Sequence, residues 1–339
     1  MKKLISLGLS IIVSISFIGC GRFDKKEESN NTNIIESTDA NKEKLEEEEK
    51  RGEEEKLKEE QKKLEEEKKK QEEEEKEEKK KQEEERKISE EKKKIEEQTL
   101  KDDKNINSLN NEKKSWYYIP NKEHKVPRAA ETKEFLRKYN SYYIGNTKEK
   151  VIYLTFDEGV SKSYAEQNLR TLKKHGIKST FFVTRDFLKN RADLVKAILN
   201  DGHTIGNHTA NHPSMPNLAD NKEKFQKEIT YIEDLYKKTT GENITKFFRY
   251  PMGHYSEKSL GITKSMGYKS FFWSFAHADY DMDKQPSVEI TKKKMVDNAH
   301  NGAIYLLHGL SKSDAEALEY FITTLKKQGY TFKNVSEIQ

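Results

Sequence analysis

Side chains able to move protons or hold a cation recur at short spacings in the second half of this 339-residue chain. Asp157 and Glu158 are adjacent carboxylates that close the apolar run 151–156, with Gly159 next. Ending a buried strand on paired acids costs desolvation energy, so such a pair either serves chemistry or sits solvated in a turn. His208 and His212 stand four apart in Gly-Asn-His-Thr-Ala-Asn-His-Pro. On a helical turn that spacing lets two imidazoles face one cation. Two neutral imidazoles and one carboxylate make a common zinc set, leaving positions for water and substrate. The histidine pair alone is a weak signal; beside the acid pair it becomes specific. Arg249 follows Phe247 and Phe248, His277 and Asp279 follow another aromatic run, and His308 ends the run 303–308. Acids, imidazoles and a guanidinium are the materials of general acid–base hydrolysis.

These residues need elements to position them. From residue 151 onward, strand-like runs alternate with helix-like stretches. Strands are expected at 151–157, 178–184, 204–208, 246–250, 268–275 and 303–308, with a short one near 330–335. Helices are expected near 163–175, 191–201, 218–240, 257–266, 288–299 and 313–328. Glycines stand where these helices should stop, as in Thr240-Gly241 and Gln328-Gly329. Strands alternating with helices predict a mostly parallel α/β sheet, and about seven such units favour a barrel over an open sheet. In α/β barrels the active site lies at the C-terminal strand ends, where Asp157, Glu158, His208, Arg249 and His308 all fall. His203 reads as structural, His175 as a helix-end residue favoured by the dipole and His300 as a turn residue. His277 is open between the two readings.

The rest of the chain differs in kind. Hydrophobic residues make up 32% and charged residues 37% of the whole, but the two halves are unlike. Residues 105–339 carry a charge of about +10 and the first 104 about −6, which together give the overall +4. A mildly basic domain suits an anionic wall polymer. Without a stripe of interleaved basic and aromatic residues, nucleic acid is not an expected partner. Residues 1–20 read as an export signal, with a positive start and an apolar stretch too short to span a bilayer comfortably. Phe17-Ile18-Gly19-Cys20 resembles a bacterial lipobox, which implies lipidation of Cys20, the only cysteine in the chain. The alternative is an ordinary cleaved signal. Residues 21–41 read as a flexible tether. Residues 42–104 are almost wholly Glu, Lys and Gln, with Glu–Lys pairs at i,i+4 and no sustained heptad. This segment reads as a helical spacer or a disordered polyampholyte, with a coiled coil weakly supported. Residues 105–147 form a linker and an aromatic extension.

Five stretches together carry a family resemblance. They are Thr155-Phe156-Asp157-Glu158-Gly159, the run 208–212, Arg249-Tyr250-Pro251-Met252-Gly253, Asp279-Tyr280 and Leu306-Leu307-His308. Their order resembles that of the polysaccharide deacetylases with a NodB homology domain, over about residues 148–339. The likeness is nearest to the sporulation enzymes that deacetylate muramic acid on the way to muramic δ-lactam in spore cortex. It implies a distorted (β/α)7 barrel of NodB type. It implies Asp157 as base, Arg249 as its anchor, His308 as acid and Asp279 as the partner of His308. It implies Glu158, His208 and His212 as ligands of a divalent metal, Zn2+ with Co2+ or Mn2+ as alternatives. Met252 falls where a backbone N–H meets the oxyanion, while Tyr280 and Leu306 fall at the substrate groove. Glu158 departs from the family's usual Asp, and Tyr280 from its usual Trp. The implied protein is an exported, lipid-anchored, monomeric hydrolase acting on peptidoglycan glycan strands. The alternatives are an enzyme for N-acetylglucosamine or another amino sugar, and a non-catalytic wall-binding lipoprotein on the same fold.

Overall fold

The computed structural model describes residues 39–121, 123–159 and 163–338. The signal, most of the tether and Cys20 lie outside the described residues. Helix α1, Asp39–Asn107, is 69 residues long, on the order of 100 Å at the usual rise. Its described side chains from 46 to 94 are all exposed. Pairs such as Lys63–Glu59 at 2.9 Å and Lys79–Glu75 at 3.5 Å run along it. Leu57 and Leu64 remain 61% and 56% exposed, so these residues form no buried seam. Among the described residues, no helix is long and apolar enough to cross a membrane.

The rest of the chain is built on one sheet. Its strands are β1 Ser141–Tyr142, β2 Val151–Glu158, β3 Thr180–Val183, β4 Thr204–Asn207, β5 Phe247–Phe248, β6 Lys269–Phe271, β7 Ala303–His308 and β8 Thr331–Lys333. They lie in the order β7-β2-β3-β4-β5-β6-β1, with β8 also paired to β2. Every ladder in this sheet is parallel. The sheet curls until the chain just after β6 reaches β7. The Ser274 N–H donates to Ile304 O at 3.0 Å and the Leu306 N–H to Phe275 O at 2.8 Å. The expected barrel is therefore present. The expected strand 268–275 is shorter than predicted, and its last residues close the ring instead.

Helices α2 Ala165–His175, α3 Lys222–Thr240, α4 Glu257–Ser265, α5 Val288–Asp297 and α6 Lys312–Lys327 fall near their expected positions. Asn221, Ser287 and Ser311 cap three of them by accepting a backbone N–H. Gly241 takes φ 84° at the end of the helix 222–240, the left-handed conformation that its turn requires.

Strand alternation decides which side chains meet at the site. In β2, Ile152, Leu154 and Phe156 join the cluster beneath the helices, whereas Val151 and Tyr153 join a separate cluster with Phe182 and Phe271. All eight β2 residues are buried, as expected of a parallel strand covered on both faces. Asp157 shares the parity of 151 and 153; Glu158 shares that of the helix-facing residues. Close packing continues at β4, where a Cβ on Gly206 would come within 2.7 Å of the Phe182 ring and 3.0 Å of Phe247 O. Gly206→Ala is therefore expected to destabilise the protein by about 1–3 kcal/mol. Urea unfolding measures this, and an unchanged midpoint would contradict the packing described.

Candidate active site

The C-terminal ends of β2, β4 and β7 and the loops after β5 and β6 surround one cleft of about 700 Å³. Asp157, His208, His212, Met252, Tyr280, Leu306 and His308 all line it, as do Trp273 and His254. Glu158, Arg249 and Asp279 do not.

Arg249 lies wholly buried. Its Nη2 donates to Thr155 Oγ1 at 2.8 Å, and Nη1 approaches Asp157 Oδ1 at 3.6 Å. The guanidinium carbon stands 4.6 Å from the Phe182 ring centroid, a cation–π arrangement that lets an aromatic wall hold a charge out of water. Burial raises the Asp157 carboxyl, and Arg249 opposes that rise without cancelling it.

His208 Nδ1 lies 2.9 Å from Arg249 O. A carbonyl only accepts, so Nδ1 carries the hydrogen and the neutral ring's lone pair is on Nε2. Burial lowers the His208 pKa to about 3, so the ring is neutral at ordinary pH. Nε2 then faces Asp157 Oδ2 at 3.5 Å. Two acceptors opposed in this way suit a shared cation or proton between them. His212 packs edge-on to His208 with centroids 4.8 Å apart. It adopts φ 53°, and burial lowers its pKa to about 4.

His308 ends β7 next to Asp157 in the sheet, and Asp279 takes it in two grips. His308 Nδ1 stands 2.8 Å from Oδ1, and the His308 backbone N–H donates to Oδ2 at 2.8 Å. Burial pulls the His308 imidazole down, but Asp279 more than offsets it and leaves the pKa raised. Tyr280 is exposed, with its ring 5.8 Å from that of His308. Leu306, though it lines the cleft, is buried. Met252 is half-exposed and held at φ 56°, ψ 9°, a left-handed conformation that is costly for a side-chain-bearing residue.

Glu158 stands apart from the two imidazoles. Its carboxylate is buried against Gly309 and accepts from Ser163 Oγ at 2.8 Å. Burial drives its pKa to about 8, with Ser163 opposing and Asp157 assisting. Among the described residues, the metal-capable group whose donor atoms all lie within 4.8 Å of one another is His277, Asp279 and Asp314. Neither His208, His212 and Glu158 nor His208, His212 and Asp157 are gathered that closely. Asp314 and Trp273 escaped the sequence reading. Asp314 looked like an ordinary first-turn helix acid, and nothing in its neighbours signalled burial. The other histidines lie outside the cleft: His203 Nδ1 accepts from the Ser179 N–H at 3.0 Å, His175 meets Glu319 at 3.0 Å, and His300 Nε2 meets Ser274 Oγ at 2.9 Å.

A closed parallel α/β barrel with carboxylates and imidazoles at its C-terminal mouth is the architecture of a hydrolytic enzyme. A family model for polysaccharide deacetylases matches residues 144–271. Peptidoglycan-N-acetylmuramic acid deacetylase PdaA of Bacillus subtilis is 40% identical over 229 residues, covering 67% of this chain and 86% of that protein. Its solved structure, described as a family 4 carbohydrate esterase, aligns with TM-score 0.65 over 68% of this chain and 98% of that one. A peptidoglycan-N-acetylglucosamine deacetylase of Bacillus cereus is 36% identical over 193 residues, 56% of this chain and 88% of that protein. The chain belongs to the polysaccharide deacetylase family.

The His308–Asp279 pair makes a testable claim. A folded-state pKa above the unfolded value of roughly 6.5 means stability that is present below that pH and lost as pH rises through the folded value. Nuclear magnetic resonance of the imidazole should find His308 titrating above that value, and Asp279→Asn should lower it by about one unit or more. A His308 titration indifferent to Asp279→Asn would contradict the pairing.

Proposed function

We propose that this protein hydrolyses N-acetyl groups on peptidoglycan amino sugars, with N-acetylmuramic acid as the preferred residue on a route to muramic δ-lactam. The observation that carries this reading is that Asp157 and His308, register partners on the neighbouring strands β2 and β7, open on one cleft, each held by its own buried partner. A base and an acid at one cleft are what amide hydrolysis requires. The muramic preference rests on the likeness to the Bacillus subtilis enzyme. The likeness to the Bacillus cereus enzyme supports N-acetylglucosamine as the second reading.

The residues present fit a divalent cation. His208 offers a bare nitrogen whose tautomer is fixed from behind by a carbonyl, a usual support for a metal-binding imidazole. Asp157 Oδ1 and Glu158 Oε1 are buried without a hydrogen-bond partner. His208 and His212 would hold the ion together with a carboxylate of the adjacent pair. Family pattern gives that third place to Glu158, which leaves Asp157 to act as base; Asp157, 3.5 Å from His208 Nε2, is the other candidate. Nitrogen and oxygen donors suit Zn2+, with Co2+ and Mn2+ as alternatives. When bound, the ion supplies Lewis acidity toward water and the acetyl carbonyl.

The chain's own groups do the rest. Asp157 takes a proton from the attacking water as a bond forms between its oxygen and the acetyl carbon. Arg249 holds that carboxylate in place, and the Met252 backbone N–H is the proposed donor to the oxyanion. His308, charged through Asp279, delivers a proton to the nitrogen as the carbon–nitrogen bond breaks. The products are acetate and a free amine. Tyr280, Trp273 and Leu306 shape the groove for the sugar. We assign lipidation to Cys20 and place the domain outside the membrane, with the charged helix as its spacer.

Full-length protein incubated with purified peptidoglycan should release acetate, and Asp157→Ala should lower the rate by at least about a hundredfold. Equal release by the two would reject the enzyme reading and leave a non-catalytic wall-binding protein. His208→Ala should lose bound zinc with the fold intact. Of Glu158→Gln and Asp157→Asn, the variant that loses zinc alongside it identifies the third ligand, and retention by all three would reject the site.

A further inference from the structure

Near His308 lies a second pair that the chemistry above does not use, and its histidine, His277, also lines the cleft. His277 Nε2 is 2.7 Å from Asp314 Oδ1, with the two side chains only 3% and 1% exposed. Donor atoms of His277, Asp279 and Asp314 all lie within 4.8 Å of one another. Two carboxylates so close in a dry site cannot both stay ionised without compensation. Asp279 has both oxygens engaged by His308 donors, which marks it as the ionised member. Asp314 meets His277 through Oδ1, and its Oδ2 is buried with no partner. One proton is therefore held by the His277–Asp314 pair, and the pair is neutral overall. Burial and Asp279 both push the Asp314 carboxyl up, while Ser311 and the His308 backbone oppose them. Burial lowers His277, with Asp279 opposing and Lys294 and His308 assisting. Asp157 and Arg249 are the other charged groups facing His308.

We propose that His277 and Asp314 are positioning residues, a proton-holding brace that fixes the orientation and charge of Asp279 and, through it, those of His308. The catalytic consequence rests on the reading of His308 as the acid that protonates the leaving amine. The brace itself is a separate structural claim. A cation at the same three residues is the competing use of the cluster. It would have to displace the His277–Asp314 contact and take an Asp279 oxygen from His308.

Two arms test this on the full chain. In the first, the His308 ring is titrated by 15N nuclear magnetic resonance in wild type and in Asp314→Asn, whose amide mimics a protonated carboxyl. The brace predicts a His308 pKa unchanged within a few tenths. A fall of about one unit or more would show that Asp314 was a bare anion and would overturn the proposal. Zinc added to wild type should leave the His277 resonances in place, and their displacement by zinc would establish a metal site instead. In the second arm, His277→Leu should lower kcat on peptidoglycan fragments by about tenfold with KM unchanged. His277→Gln, which keeps an N–H donor, should recover most of that loss. Equal kcat in wild type and a folded His277→Leu would overturn the positioning role. The first arm needs no turnover, so absent activity in wild type would count against the deacetylase reading and leave the brace to be decided on its own.

Discussion

Two hydrogen-bond acceptors, His208 Nε2 and Asp157 Oδ2, face each other at 3.5 Å where both residues line the cleft. Two lone pairs opposed at that distance gain nothing from each other unless a proton or cation stands between them. Much of the surrounding structure is arranged to sustain it. The Arg249 carbonyl fixes the imidazole tautomer from behind. The Arg249 guanidinium, fully buried, faces the same carboxylate and is itself tied to Thr155 and the Phe182 ring. Removing one member would leave buried charge uncompensated, which typically costs several kcal/mol. The site is thus an expense in stability that the apolar core must offset, and a bound cation would relieve it.

That core sits on both faces of the sheet. Phe156 stacks on Phe181 at 4.9 Å beneath the helices. The aromatic extension before the barrel packs behind a residue of the cleft wall. Trp116 stacks on Phe272 at 4.5 Å and donates from Nε1 to Trp273 O at 2.9 Å. The backbone of Trp273, a residue that lines the cleft, is thus anchored from outside the βα repeat. The extension supports the groove wall.

Much of this was legible from sequence, because apolar period and glycine punctuation report directly on burial and helix ends. The runs at 151–157, 204–208 and 303–308 are strands nearly to the residue. They carry Asp157 and His308 within them, and His208 follows directly after Asn207. Side chains alternate along a strand, so neighbours point to opposite faces. Asp157 follows Thr155 toward Arg249, and Glu158 follows Phe156 to a buried place against Gly309 and Ser163. Asp314 was not legible, since its partner His277 lies 37 positions away in the loop after β6. Strand β1 was also missed: two residues, Ser141 and Tyr142, pair with Ser270 and Phe271 by a register that no local pattern announces.

The account turns on where a metal binds. Crystals of the full chain grown with zinc, with data collected at the zinc absorption edge, would locate the ion by anomalous scattering. The account predicts a single strong peak within coordination distance of His208 Nε2 and His212, completed by an oxygen of Asp157 or Glu158. A peak among His277, Asp279 and Asp314 instead, or none at the cleft with zinc in excess, would contradict it.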